Sequence, residues 1–136
     1  MMRAAQIAGL VALPPIAALA EAWPRDQISA PSGQAVILHE WLDEQNPWSG
    51  ESQIVIRLVA PMIGASGVDD AALKTDMDWA CEHWGRPIAK AANATADQIV
   101  IEMMAAPTPR GTPTPEINRF YETYRLAGDA CIWELF

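Results

Sequence analysis

The sequence predicts an α+β fold in which a mostly antiparallel sheet of about five strands is covered by one helix, in the order β-β-α-β-β-β, with one disulfide. Three observations carry this expectation. Five short stretches rich in apolar and β-branched or aromatic residues, bounded by turn residues, read as strands. A single stretch, Met77 to Ile88, repeats apolar residues at helical spacing. The chain also has two cysteines, Cys81 and Cys131, and an N-terminus that reads as an export signal.

Trp23 to Gly33 contains Pro24, Pro31 and Gly33 and has no periodicity, so it reads as an extended lead-in. In Gln34 to Leu42, Val36, Leu38 and Leu42 fall on one parity and Ile37, His39 and Trp41 on the other, which marks a strand apolar on both faces. Asp43 to Pro47 should turn the chain. Gln53 to Ala60 is the cleanest strand, ended by Pro61.

After a loop through Gly64 and Gly67, Thr75 stands where an N-cap belongs, with Asp78 three residues on, so a helix is expected to start near Asp76. Its stripe is Met77, Ala80, Cys81, Trp84 and Ile88, and Gly85 and Pro87 should end or kink it. Asp97 to Met104 reads as a strand, and Pro107, Pro109, Gly111, Pro113 and Pro115 as a stiff exposed loop. Ile117 to Leu126 and Ala130 to Phe136 close the chain in a hairpin across Ala127-Gly128-Asp129.

Gln53-Ile54-Val55-Ile56-Arg57-Leu58 is echoed by Gln98-Ile99-Val100-Ile101-Glu102-Met103, with opposite charges at the fifth place. If the two strands pair in parallel through the helix, Arg57 and Glu102 sit side by side on the wetter face of the sheet.

Composition narrows the function. The chain of 136 residues is 51% apolar and 19% charged, which fits one globular domain and excludes large cofactor enzymes of two or more domains. Seventeen acidic residues against nine basic ones give a net charge of −8, which would repel a phosphate backbone and argues against nucleic-acid binding. Arg3 followed by the uncharged run Ala4 to Ala20 reads as a signal peptide over residues 1–22, leaving residues 23–136 as one domain in the periplasm or outside the cell. Pro14-Pro15 and the shortness of the run argue against a membrane anchor that survives cleavage. An oxidising compartment would let Cys81 and Cys131 pair, stapling the helix to the last strand.

No strong catalytic motif appears. Gly64-Ala65-Ser66-Gly67-Val68 departs from a nucleophile elbow at Val68, and His39 and His83 lack metal-ligand spacing. Asp69, Asp70, Asp76 and Asp78 cluster, but without the pattern of a calcium loop; Asp76 and Asp78 are sufficiently explained by opposing the helix dipole. No cofactor, metal or catalytic residue is therefore assigned. Of six tryptophans, Trp84 and Trp133 should be buried near the bridge, whereas Trp48 and Trp79 are candidate contact residues. A competing arrangement would place Glu40, Asp43 or Glu44 beside Trp41 in a pocket.

Asp76-Met77, Cys81, Gln98-Ile99-Val100-Ile101, Phe120-Tyr121-Glu122, Tyr124-Arg125 and Cys131 to Phe136 together resemble a family of small exported alphaproteobacterial proteins of unknown function. Such proteins are sometimes labelled acetolactate synthase. Here Gly128-Asp129 is followed by Ala130, not by the Gly that a thiamine diphosphate motif requires, and the label is rejected. The resemblance implies no site residue. The function expected is a non-enzymatic exported domain making protein contacts, as an envelope accessory or a binder of a basic partner; the alternative is a small secreted hydrolase or ligand-binding protein using the carboxylates near Trp41.

Overall fold

The computed structural model describes residues 23–65 and 67–134. The segments expected to form the signal peptide, Ser66 of the elbow-like loop and the end of the last strand at Leu135 and Phe136 lie outside the described residues. The described elements are β1 (Ile28–Ser29), β2 (Ala35–Gln45), β3 (Ser52–Val59), α1 (Asp70–Ala80), a π-helical turn (Cys81–Gly85), α2 (Arg86–Ala92), β4 (Gln98–Met104), β5 (Arg119–Ala127) and β6 (Ala130–Trp133). They form an α+β arrangement in which one helical segment packs on a mixed six-stranded sheet, with strands in chain order. The sixth strand is the short β1, which pairs with Val36 and Ala35 inside what reads as a lead-in.

All neighbouring strands are antiparallel except β3 and β4, which pair in parallel across the helical crossover. The echoed segments align residue for residue, Gln53 with Gln98 through Val59 with Met104. A parallel pair needs a crossover of a dozen or more residues, which the helical segment supplies.

The helix begins six residues before the expected start. Asp69 is its N-cap and accepts a 2.8 Å hydrogen bond from the Ala72 amide. Thr75 is instead mid-helix, its hydroxyl donating back to the Ala71 carbonyl, as Ser and Thr inside helices often do. Gly85 and Pro87 interrupt the α-helix, as an end or kink there predicts, but the helical segment continues beyond them. Pro87 would clash with the carbonyl four residues earlier in an uninterrupted α-helix. The π-turn relieves this: the Arg86 amide reaches back five residues to the Cys81 carbonyl, and Pro87 enters the first turn of α2. Gly85 is required for a second reason, since a Cβ there would lie 2.8 Å from Ile99 Cγ2 on β4.

The core lies between the helix and one sheet face. Leu73, Met77, Ala80, Cys81, Trp84 and Ile88 pack over Leu38, Ile54, Ile56, Leu58, Ile99, Ile101 and Met103. Asp76, expected to oppose the helix dipole, has a different task. It is fully buried and ties the β1–β2 loop to α1, accepting from the Ser32 amide and hydroxyl and from Gln34 Nε2 at 2.7 Å. Asp43 to Gln45 continue β2 instead of turning. The turn falls at Asn46 to Gly50, where Gly50 has φ of 76° and the Asn46 side chain accepts from the Trp48 and Ser49 amides.

Candidate functional site

β2 does not alternate strictly. Leu38 pairs with Leu58 but Glu40 pairs with Arg57, so the strand bulges at His39. Without the bulge, Glu40 would share a face with Val36 and Leu38 and enter the apolar core. With it, Glu40, Leu42 and Glu44 move to the face away from the helix, and Trp41 and Asp43 take the helix side. The register then places Glu40, Arg57, Glu102 and Tyr121 in one row across four strands.

Arg57 and Glu102 are neighbours, as the echo implies, but their surroundings are dry: they are 1% and 0% exposed. The cover comes from the proline-rich loop of residues 105–118, which folds back over this face. Arg57 Nη2 donates to the Thr108 carbonyl at 2.6 Å and to its hydroxyl at 3.1 Å. Arg57 Nε donates to Glu102 Oε1 at 2.9 Å, and Nη1 is paired with Glu40. From the same loop, Arg110 donates to Glu102 Oε1 at 3.2 Å and to Glu44 Oε1 at 2.6 Å, crossing the row of the fully buried Val55. Arg119 on β5 adds a third guanidinium, 3.7 Å from Glu102 Oε2.

Three arginines thus face three glutamates. Burial alone would lower the pKa of Arg57 and Arg110, but hydrogen bonds and charge from Glu102, Glu40 and Glu44 outweigh it and hold both above the usual arginine value. Burial likewise pushes the Glu44 carboxyl up, and bonds from Arg110 and Gln53 with the charges of Arg110 and Arg57 bring it below the ordinary carboxylate range. Tyr121, at the solvent side of the row, is raised by burial and by Glu102. Chemically the network is a clamp. Each charge faces an opposite one, and its product is a fixed loop over a closed sheet face.

The candidate residues fall as follows. Cys81 and Cys131 form the disulfide, with Cα atoms 6.3 Å apart, joining the π-turn to β6. Trp48 stands at the tip of the β2–β3 turn, 93% exposed. Trp79 packs partly against the core and stacks on His83 with ring centroids 5.0 Å apart. Glu40 and Glu44 meet on one face while Trp41 and Asp43 lie on the other, so the sheet itself separates the carboxylates from Trp41. Trp84 is buried, but Trp133 is 42% exposed. It shares the helix side with Cys131, yet it lies under Lys74, whose Nζ is 4.1 Å from its ring, and its Nε1 donates to Glu122 at the sheet margin.

The four aspartates separate by role: Asp69 caps the helix, Asp70 begins it, Asp76 holds the β1–β2 loop, and Asp78 accepts from the buried Tyr124 hydroxyl and pairs with Lys74. Among the described residues no group of three His, Cys, Asp or Glu is placed to hold one metal ion. Sequence reasoning missed Arg110, Arg119 and Thr108. The one available signal was Glu40, a carboxylate in an otherwise apolar parity.

Fold and site together define an α+β domain whose mixed sheet is closed by an apolar, disulfide-stapled helix on one face and by an ion-paired loop on the other. The chain belongs to the family of unknown function DUF6497, whose sequence model matches residues 11–136. No curated protein and no solved structure matches it.

Proposed function

We propose that this chain is an exported, non-enzymatic domain that acts through contact with a basic protein of the cell envelope. The observation that carries the reading is Trp48. An indole 93% exposed is unusual for so large an apolar group, and tryptophan is enriched at the centres of interfaces. Its turn is held in place before any partner arrives: the Asn46 side chain accepts from the Trp48 and Ser49 amides at 2.8 and 3.1 Å, and the Gly50 amide donates to the Asn46 carbonyl at 2.9 Å. Preorganisation of this kind lowers the entropic cost of binding.

The net charge of −8 favours a basic partner and disfavours nucleic acid. Trp79 is proposed as a secondary contact. Export is supported by the leader-like residues 1–22 and by the Cys81–Cys131 bridge, which suits the periplasm or the exterior. No helix among the described residues is long and apolar enough to cross a membrane.

Two measurements test this. Intact mass of the protein from the envelope fraction should correspond to a chain starting at Trp23 and lighter by two hydrogens than its reduced form. A full-length, reduced chain in the cytoplasm would overturn the export reading. A photoreactive residue at position 48 should crosslink to one basic envelope protein, and Trp48→Ala should weaken that complex without lowering the melting temperature. An unchanged complex would overturn the role of Trp48.

A further inference from the structure

A cavity of about 260 Å³ lies between the segment leading into β1 and the π-turn, lined by Trp23, Pro24, Asp26, Ile28, His83 and Trp84. It is distinct from the ionic face and from the Trp48 turn. Its aromatic wall is fixed: the His83 imidazole stacks on Trp79 at 5.0 Å and 19°, and meets Trp84 edge to face at 4.7 Å. Trp84 in turn meets Trp79 edge to face at 5.3 Å and is almost wholly buried, so it backs the groove without swinging away and leaves His83 and Trp23 as the accessible rings. Trp23 adds a second indole, itself packed against the core.

From this lining we propose that the groove binds a small organic cation of the quaternary ammonium class. The faces of indole rings are negative and attract a cation stripped of tightly held water. Pro24 and Ile28 offer apolar contact to methyl groups. Asp26, exposed, is the carboxylate of the lining, and it would repel an anion. The volume falls just below the ~300–1,000 Å³ usual for drug-sized ligands, which suits a methylated ammonium group. The proposal is independent of the partner-binding reading, because none of these residues borders Trp48.

Choline chloride titrated into the protein with its amino terminus acetylated, so that a chain starting at Trp23 places no ammonium of its own on the lining, and followed by tryptophan fluorescence and by the His83 ring resonances, is the test. Saturable millimolar or tighter binding is expected. The uncharged isostere 3,3-dimethylbutan-1-ol should bind about ten-fold or more weakly, and Trp23→Ala and Asp26→Asn should each weaken choline about five- to ten-fold. Trp48→Ala should leave the titration unchanged. Phosphatidylcholine vesicles distinguish sources: co-flotation assigns the cation to a lipid headgroup, and binding of free choline alone assigns it to a solute. The proposal fails if no saturable response appears, if the neutral alcohol matches choline, or if Asp26→Asn, a surface change that should not disturb folding, has no effect on affinity.

Discussion

Glu102→Gln is the most informative change on the ionic face. The wild-type carboxylate is fully buried and faces Arg57, Arg110 and Arg119. Glutamine preserves the volume but removes the charge, and its amide nitrogen is a donor pointed at guanidinium donors. Three arginines would then share Glu40 and Glu44. Arg57, 1% exposed, has no route to water. Breaking a buried pair by removing one partner costs about 3–5 kcal/mol. At about 4–8 °C per kcal/mol for a domain near this size, the melting temperature should fall by at least about 12 °C.

The double variant Arg57→Met with Glu102→Leu provides the matching control. The two positions are neighbours in the parallel register, and replacing a buried pair with apolar residues is often neutral or stabilising. Arg110 keeps Glu44, and Glu40 is exposed enough to hydrate. The double variant should therefore recover more than half of the loss. Urea unfolding by circular dichroism measures both. A cost for Glu102→Gln below about 1 kcal/mol, the value of a surface pair, would refute the claim that loop 105–118 seals this face.

Three further outcomes are expected. Reducing the Cys81–Cys131 bridge, which spans 50 positions, should lower stability by about 2–4 kcal/mol, read as a drop in melting temperature with dithiothreitol that a Cys81→Ala/Cys131→Ala variant no longer shows. Glu82→Ala should promote association: the Glu82 carboxylate accepts the outward Cys131 amide of edge strand β6 at 2.9 Å, and freeing that amide exposes the edge to another chain, seen as concentration-dependent sedimentation with an unaltered monomer melting point. Glu44 has its folded pKa below the unfolded value of about 4.3, so its contribution is complete above that pH and is lost as pH falls through the lower folded value; Glu44→Gln should flatten this acid limb of a stability–pH curve and leave the region above pH ~6 unchanged in slope.

The parallel β3–β4 register was legible because the two segments carry the same Gln-Ile-Val-Ile run, and their neighbours on the core face are fixed by alternation. The disulfide was legible from two cysteines, one on the helix stripe and one in the last strand. Other features depend on contacts distant in sequence. Thr75 and Asp69 are both acceptable caps locally, and the longer helix prevails because Leu73 and Met77 then both reach the core. The burial of Arg57 could not be read from β3, since its cover, Thr108, lies 51 positions away. Trp133 was placed on the correct side by parity, but parity does not say where the helix stops covering the sheet.

The bulge at His39 has consequences beyond β2. It sends Glu40 and Glu44 to the face where Arg57 and Arg110 need them, and it leaves both faces of β3 and β4 covered, one by the helix and one by the loop. A sheet closed on both faces offers no open surface in its middle, so the accessible surface lies at its margins. The margins are where the large exposed apolar side chains of the described residues stand: Trp48 at the β2–β3 turn, Met62 just after β3, and Phe120, Tyr121, Ile132 and Trp133 on the final hairpin. On the edge strand itself, the Glu82 carboxylate accepts from the Cys131 amide, which would otherwise be free to donate to a new strand. With this amide occupied, one outward donor of the edge is already satisfied, whereas the Trp48 turn projects with its indole almost fully exposed. Of these margins, the Trp48 turn is the one whose backbone is tied by its own side-chain bonds, which is why the proposed contact is placed there.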